Sequence, residues 1–220
     1  MIHLKLLGSS LIVASLLAGC GPSAGRRPGP VLPASDPGER PAPAADRLSA
    51  SVRAVVDGAL DQTRYTHSYD PSYVPLAYPG GDVPRETGVC TDVVVRAFRR
   101  AGVDLQREVH QDMRRAFGQY PRRYWLKRPD PNIDHRRVPN LMTFFRRKGR
   151  SLPITVRPEA FRPGDVVVWK LENGILHTGL VVDGPSRSAG WQVVHNIGQG
   201  AQVEDVLFQM EIVGHYRYFR

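Results

Sequence analysis

The sequence predicts an α+β domain in which the helices come first and an antiparallel β-meander follows. Apolar residues recur at helical spacing as far as about residue 148. Beyond residue 152 the pattern changes to short runs of β-branched and aromatic residues separated by turns. Helices and strands that are segregated along the chain are typical of the α+β class. With 220 residues, of which 41% are hydrophobic, the chain is long enough to bury one complete core.

Two helices are expected on either side of a long loop. The first begins near Asp46, which can cap a helix, and has five apolar residues at helical spacing: Val52, Val55, Val56, Ala59 and Leu60. The loop covers residues 65–89 and is rich in Tyr, Pro and Gly. The second helix has Cys90 in its first turn and ends at Gly102. Its apolar face is formed by Val93, Val94, Ala97, Phe98 and Ala101.

The remaining elements are two further helices and a set of strands. The helices are expected at residues 108–117 and 138–148, and Gly149 ends the second of them. Strands are expected at residues 166–169, 180–182, 191–195 and 214–219. Turns at residues 172–174 and 184–190 join the first three strands, so these strands form an antiparallel meander.

The first twenty residues have the features of an export signal. Lys5 provides a positive charge, and the apolar stretch at residues 6–17 is too short to span a membrane. The stretch closes with a run that resembles a lipobox, where bacterial lipoproteins are cleaved before a lipid-bearing cysteine: Leu17-Ala18-Gly19-Cys20. We therefore expect residues 1–20 to be a lipoprotein signal peptide, with Cys20 as the lipidated residue. The alternative is an ordinary signal peptide that contains a cysteine.

Residues 21–46 have the composition of a tether. They are rich in Pro, Ala, Gly and Ser and show no periodic apolar pattern, so they cannot bury a core. The folded domain is expected to cover residues 47–220. Gly21 follows the lipobox cysteine and favours outer-membrane delivery. The expected location is an exported lipoprotein in the outer membrane, facing the periplasm or the cell surface.

The two cysteines and the charge distribution limit the possible functions. If Cys20 carries lipid, Cys90 is the sole thiol of the mature chain and cannot form an internal disulfide. The net charge is +9, and residues 96–150 hold 16 Lys or Arg against 5 Asp or Glu. Such a region fits peptidoglycan or another anionic envelope component as partner, or it is a solvated Arg-rich surface. No nucleic-acid recognition motif is present, and the membrane is reached through the N-terminal lipid.

Four short motifs resemble those of the NlpC-type branch of papain-like cysteine peptidases. They are Tyr78 with Gly80-Gly81 and Gly88-Val89-Cys90-Thr91-Asp92, then Pro163-Gly164-Asp165-Val166, His177-Thr178-Gly179-Leu180 and Val193-Val194-His195-Asn196. The resemblance covers residues 74–218 and is strongest to an exported bacterial family of unassigned function. It implies a papain-like fold with Cys90 as nucleophile and His177 as base. Two features depart from the pattern: Thr91-Asp92 replaces Ser-Gly, and residues 129–137 have no counterpart in the cell-wall peptidases.

The chemistry expected of Cys90 requires a thiolate. The positive end of a helix and an imidazolium from His177 would both lower the pKa of the thiol. The backbone N–H groups of the first helical turn, including that of Cys90, are available to bind an oxyanion. His177 would accept the thiol proton and later donate it to the leaving amine.

A third residue should hold the other nitrogen of the His177 ring. His195 is expected there because strand alternation that points Val194 inward places His195 beside His177. Asn196 is the alternative, since its amide oxygen can accept the same N–H group.

Further residues are candidates for contacts with substrate or oxyanion: Tyr78, Thr91 and Asp92. A packing role for Tyr78 and a helix-dipole role for Asp92 are the alternatives. His110 and His135 have no partner at metal-ligand spacing, so neither a metal nor a cofactor is expected.

These features together predict a cysteine-dependent amide hydrolase that acts through a thioester, with peptidoglycan stem peptides as substrate. Two alternatives remain open. One is an acyltransferase of the same fold, in which an amine or a lipid replaces water. The other is a non-catalytic wall- or lipid-binding module that uses the Arg-rich region.

Overall fold

The computed structural model describes residues 48–121, 127–184 and 190–219. As expected, the helices come first and a sheet follows. The helices are α1 (Ala50–Gln62), α2 (Cys90–Arg100), α3 (Leu105–Ala116) and α4 (Val138–Lys148). These residues belong to a compact unit, Pro43–Arg220; the other unit, Met1–Ala42, lies outside the described residues. The predicted signal peptide, lipobox and tether therefore lie outside them too.

The bounds of the helices follow from their caps. The side chain of Ser49 accepts a hydrogen bond from the backbone of Val52, so Ser49 and not Asp46, which lies outside the described residues, caps α1. Asp104 accepts from the backbone N–H of Gln106 and starts α3 three residues before the predicted position. The predicted bounds of α4 are confirmed, and Gly102 follows α2 with a φ of 80°, which favours glycine.

In the described residues the main sheet has six antiparallel strands: β3 (Arg150–Ser151), β4 (Val166–Lys170), β5 (Leu176–Asp183), β6 (Trp191–Asn196), β7 (Ala201–Glu204) and β8 (Glu211–Arg217). Their order in the sheet is β3-β8-β4-β5-β6-β7. The predicted meander is β4-β5-β6, whereas β7 and the short β3 were not predicted. The closing strand begins earlier than expected, at Glu211, and pairs with β4. Two short strands, β1 (Ser68–Tyr69) and β2 (Thr87–Gly88), form a parallel pair beside Cys90.

Both faces of the sheet are apolar. Alternate residues of β4 and β5 pack against the helices, and the others face a smaller cluster around Phe161 and Leu207. This explains why Val166 to Trp169 is a continuous apolar run. Each fully buried core side chain of this kind stabilises the fold by roughly 1.5–3 kcal/mol. The helix that begins at Cys90 is therefore held tightly against the sheet.

The Pro-Gly-Asp motif has a structural role. Asp165 is fully buried and accepts hydrogen bonds from the backbone of Arg162, from Nε2 of His215 at 2.8 Å and from Nε of Arg217 at 2.7 Å. These contacts tie the start of β4 to β8. In the described part of the chain, no helix is long and apolar enough to cross a membrane.

Candidate active site

Cys90 is the first residue of α2, and the chain that leads to it is fixed by two buried polar side chains. Asp92 accepts a hydrogen bond from the backbone N–H of Val89 at 2.7 Å. The side-chain amide of Asn196 donates to the carbonyls of Gly88 at 2.9 Å and Ser68 at 3.1 Å. Cys90 as a whole residue is 5% exposed, and it makes no disulfide. Its position is set by contacts between the helix, β1, β2 and β6.

Three side chains on adjacent strands form a polar chain across the sheet. Nε2 of His177 on β5 lies 2.8 Å from Nδ1 of His195 on β6. Nε2 of His195 lies 2.7 Å from Oε2 of Glu204 on β7. Trp169 stacks on the His177 ring with centroids 5.8 Å apart. Both histidines are buried, at 3% and 2% exposure.

Of the two candidates for the third residue, the structure places His195 against His177. Strand alternation predicts this position. The Asn196 side chain points elsewhere, because its amide nitrogen binds the two backbone carbonyls near Cys90 and its oxygen accepts from the N–H of Gly198. Asn196 therefore positions the segment before the cysteine.

The Cys90 sulfur lies near the backbone of the residue that follows His177. The N–H group of Thr178, which follows His177, lies near the sulfur, as do those of Thr91 and Cys90 itself. No hydrogen bond joins the sulfur to the His177 imidazole among the described residues. The two groups are thus brought to one region without forming an ion pair.

The protonation of this pair differs from the sequence-based expectation. Burial raises the pKa of the Cys90 thiol to about 11, although the nearby backbone N–H groups oppose the rise. Burial, followed by the proximity of His195, lowers the pKa of His177 to about 3. The pKa of His195 is also lowered by burial, and Glu204 opposes that change. The expected lowering of the thiol pKa is therefore wrong for this conformation, because desolvation outweighs the helix dipole and no imidazolium is present.

We expect iodoacetamide to alkylate Cys90 slowly at pH 7. Because the pKa of the thiol is about 11, the thiolate fraction rises roughly tenfold with each unit of increase in pH up to that value. The measurement is the alkylation rate of the Cys20→Ala protein between pH 6 and 10, with mass spectrometry to locate the label. In urea the rate should instead level off near pH ~8.5, the value of a free cysteine. Rapid alkylation of the folded protein at pH 6 would show that a thiolate is present at rest.

The side chains of Thr91 and Asp92 are turned into the protein, so the predicted contact with substrate or oxyanion is left to their backbone. Oγ1 of Thr91 donates to the carbonyl of Arg136 at 3.0 Å. The carboxylate of Asp92 accepts from Nε of Arg136 at 3.0 Å, besides capping Val89. Both side chains are buried, so their hydrogen-bonding capacity is used within the protein. The backbone N–H of Thr91 remains a candidate for the oxyanion.

These contacts join the two features that depart from the peptidase pattern. Arg136 belongs to the segment 129–137, and it also donates to the carbonyls of Ser72 at 3.0 Å and Asp70 at 3.2 Å. The Thr91-Asp92 pair is therefore hydrogen-bonded to this segment through Arg136. The segment fixes the start of the helix that carries Cys90.

A cavity of about 390 Å³ opens beside Cys90. It is lined by Tyr69, Pro71, Val89, Cys90, Ile133, Arg136, Arg137, Val138, Pro139, Asn173, Gly174, Ile175 and Leu176. Tyr78 is not among these residues, since its ring packs edge-on against His110 at 5.2 Å. Tyr69 lies close enough to Cys90 that the thiolate would raise the pKa of the phenol, after the effect of burial. Tyr69 is thus the tyrosine that lines this cavity, and the structure does not bring Tyr78, the predicted tyrosine, to it.

Three residues of the site were not predicted from the sequence. Glu204 lies on a strand that the apolar pattern does not reveal, and Tyr69 lies in a stretch read as loop. Arg136 is one of many arginines in a basic region, so no local signal distinguishes it. Over the described ranges, no group of three or more His, Cys, Asp or Glu side chains is arranged to hold a metal ion.

Helices followed by an antiparallel sheet define an α+β domain, in which the cysteine lies on a helix and the two histidines lie on neighbouring strands. The chain belongs to the family described as "Domain of unknown function (DUF1287)", whose model matches residues 56–218. The uncharacterized protein YijF of Escherichia coli K12 is 56% identical over 166 residues, which are 76% of this chain and 81% of YijF.

Two solved structures with similarity to the chain belong to the NlpC group. NlpC1 of Trichomonas vaginalis is 15% identical with a TM-score of 0.43, and 80% of this chain and 46% of that one are covered. An NLP/P60-family protein of Staphylococcus aureus, described as similar to lipoprotein, is 16% identical with a TM-score of 0.37, and the coverage is 79% and 43%. The chain spans less than half the length of each of these proteins.

Proposed function

We propose that this protein is a cysteine-dependent amide hydrolase with Cys90 as nucleophile and His177 as general base. The observation that carries the proposal is the 2.8 Å contact between His177 and His195. This contact holds Nε2 of the His177 ring and leaves Nδ1 to accept the thiol proton. Burial of the pair beside the first turn of α2 supports the assignment.

The reaction begins from a neutral thiol and a neutral imidazole. Nδ1 of His177 takes the thiol proton as the Cys90 sulfur attacks the amide carbon, so no ion pair forms in advance. The N–H groups of Cys90 and Thr91 are available to the developing oxyanion. His177 then gives its proton to the leaving amine and a thioester remains. Water loses a proton to His177 and attacks the thioester, which releases a carboxylic acid and restores the thiol.

Peptidoglycan stem peptides are the substrate that the cavity beside Cys90 supports best. Arg137 lines this cavity together with Arg136, whose guanidinium is paired with the buried Asp92, and the described lining of the cavity includes no Asp or Glu. A peptide that carries carboxylates fits such a surface, whereas a cationic ligand would find no counter-charge. A lipoprotein facing the cell wall would meet this polymer, which is consistent with the proposed location.

Two other functions are favoured by particular observations. The apolar wall formed by Ile133, Ile175 and Leu176 suits an acceptor with an apolar chain, which favours an acyltransferase that delivers the acyl group to an amine or a lipid. The raised pKa of Cys90, about 11, favours a binding module with an inert thiol. The acyltransferase would yield an acylated acceptor, and the binding module would yield no product.

Digestion of purified muropeptides separates the three possibilities. The purified protein and its Cys90→Ala variant are incubated with the muropeptides, and the products are identified by mass spectrometry. We expect hydrolysed stem peptides with the wild-type protein alone. Products of equal yield with the variant would exclude Cys90, and unchanged muropeptides with both proteins would favour the binding module.

Membrane attachment tests the proposal that Cys20 carries lipid. We expect the Cys20→Ala protein to be recovered without detergent, since a lipidated terminus is the expected anchor. Fractionation of cells at low and high salt measures this, with Cys90→Ala as the matched cysteine control. Membrane retention of the Cys20 variant at high salt would contradict lipidation, and retention that salt abolishes would point to the basic region 96–150.

A further inference from the structure

Glu204 ends the polar chain that begins at His177. On the paired strands β6 and β7, His195 lies opposite Gln202, so Glu204 is its diagonal neighbour on the same face. The carboxylate reaches Nε2 of His195 at 2.7 Å, while the Glu204 side chain remains 38% exposed. No role is assigned to Glu204 by the cysteine–histidine–histidine arrangement itself.

The contact between the two histidines can have one of two proton arrangements. When both rings are neutral, a single proton lies between Nε2 of His177 and Nδ1 of His195. If His177 donates, His195 carries its own proton on Nε2. If His195 donates, its Nε2 is a bare lone pair. The ring nitrogen that faces Glu204 therefore differs between the two arrangements.

A carboxylate distinguishes these arrangements by its charge. The contact at 2.7 Å is not aligned as a hydrogen bond, but across it a protonated Nε2 of His195 is attracted to the Glu204 carboxylate, whereas a bare lone pair is repelled. Glu204 thus selects the arrangement in which His177 carries its proton on Nε2. Nδ1 of His177 is then unprotonated.

We propose that Glu204 is a positioning residue that sets the tautomers of His195 and His177 and so keeps Nδ1 of His177 available as the base. The inference rests on the proposed function of the site. Without Glu204, His195 can donate to His177, and the proton on Nδ1 of His177 blocks acceptance from the thiol. The carboxylate acts through two rings and does not touch the substrate.

The tautomers can be read directly by NMR. Long-range correlation of ring protons with ¹⁵N distinguishes protonated from unprotonated imidazole nitrogens without any substrate. His177→Gln and His195→Gln proteins identify the two rings among the 7 histidines. We expect an unprotonated Nδ1 in His177 of the wild-type protein, and a substantial population with a protonated Nδ1 in Glu204→Ala.

Activity provides the second readout, with a matched control. The Glu204→Ala protein should lose about 100-fold in kcat for amide hydrolysis, since the wrong tautomer removes general-base catalysis. Glu211→Ala is the control, because Glu211 is also a strand glutamate and its carboxylate lies 3.9 Å from the exposed Lys170. Its rate and its histidine spectra should be those of the wild type.

The outcomes separate this inference from the proposed function. Unchanged tautomers in Glu204→Ala overturn the role of Glu204, whatever the rates are. Altered tautomers together with a lower kcat support it, and altered tautomers with an unchanged kcat overturn its catalytic importance. A wild-type protein that hydrolyses no amide overturns the proposed function, while the spectra still decide whether Glu204 sets the tautomers.

Discussion

Replacing His177 with glutamine should lower kcat/KM for amide hydrolysis by about 1,000-fold at pH 7. The buried Cys90 thiol, with its pKa raised to about 11, is almost entirely protonated there. Without the imidazole, the reaction depends on the rare thiolate that forms unaided. The loss should therefore exceed that of Glu204→Ala, which leaves the base in place but favours the wrong tautomer.

The wild-type protein and His177→Gln should also differ in how their rates depend on pH. Because the pKa of His177 is lowered to about 3, its neutral, proton-accepting form is present throughout the range from pH 5 to 8. The wild-type rate should therefore be nearly level over that range. The rate of His177→Gln should rise roughly tenfold per pH unit, because the thiolate fraction does so.

His67→Gln is a matched control, since His67 is exposed and its substitution should leave the profile unchanged. A rate at pH 7 in His177→Gln that equals the wild-type rate would remove His177 from the mechanism. A decrease of the wild-type rate as the pH is lowered from 7 to 5 would show that the base is protonated in that range. That result would contradict the lowered pKa of His177.

Replacing Arg136 with methionine should reduce the free energy of unfolding by about 3–5 kcal/mol. The side chains of Arg136 and Asp92 are 2% and 3% exposed, and their nearest contact is 3.0 Å. The substitution leaves a buried carboxylate without its counter-charge at the start of the cysteine-bearing helix. Urea unfolding measures the change, and the melting temperature should fall by roughly 10 °C.

A second substitution tests the cause of this loss. Asp92→Asn in the Arg136→Met background removes the unpaired charge but keeps an oxygen for the Val89 N–H group. We expect the double variant to be more stable than Arg136→Met alone. Arg157→Met is the control, because Arg157 and Glu159 are exposed and 4.0 Å apart. A loss below about 1 kcal/mol in Arg136→Met would show that the segment 129–137 does not hold the helix.

The elements of the fold could be predicted where their apolar pattern is long. The face of α2 and the strands β4 to β6 follow from periodicity alone, because one or both of their faces are buried. Short strands without such a pattern, such as β7, acquire their structure from the neighbours that they pair with. Several polar residues precede α1, and the apolar pattern does not show that Ser49, and not Asp46, is its cap.

The sequence by itself identified three groups of the site, Cys90, His177 and His195. Local periodicity places Cys90 in the first turn of an apolar helix. His177 precedes the predicted strand at 180–182 and was indicated by the resemblance to the NlpC-type motif. Strand alternation also places His195 beside His177. These are properties of neighbouring residues in one element or in one strand pair.

The tertiary structure alone decided the protonation of the site and the partners that hold it. Burial between the helix and the sheet raises the pKa of Cys90 and lowers that of His177, and desolvation depends on the whole surrounding fold. The contact of Asp92 with Arg136 spans 44 residues, and Glu204 reaches His195 from a neighbouring strand. Such pairs depend on how separate elements pack, which the residues near each partner in the chain do not specify.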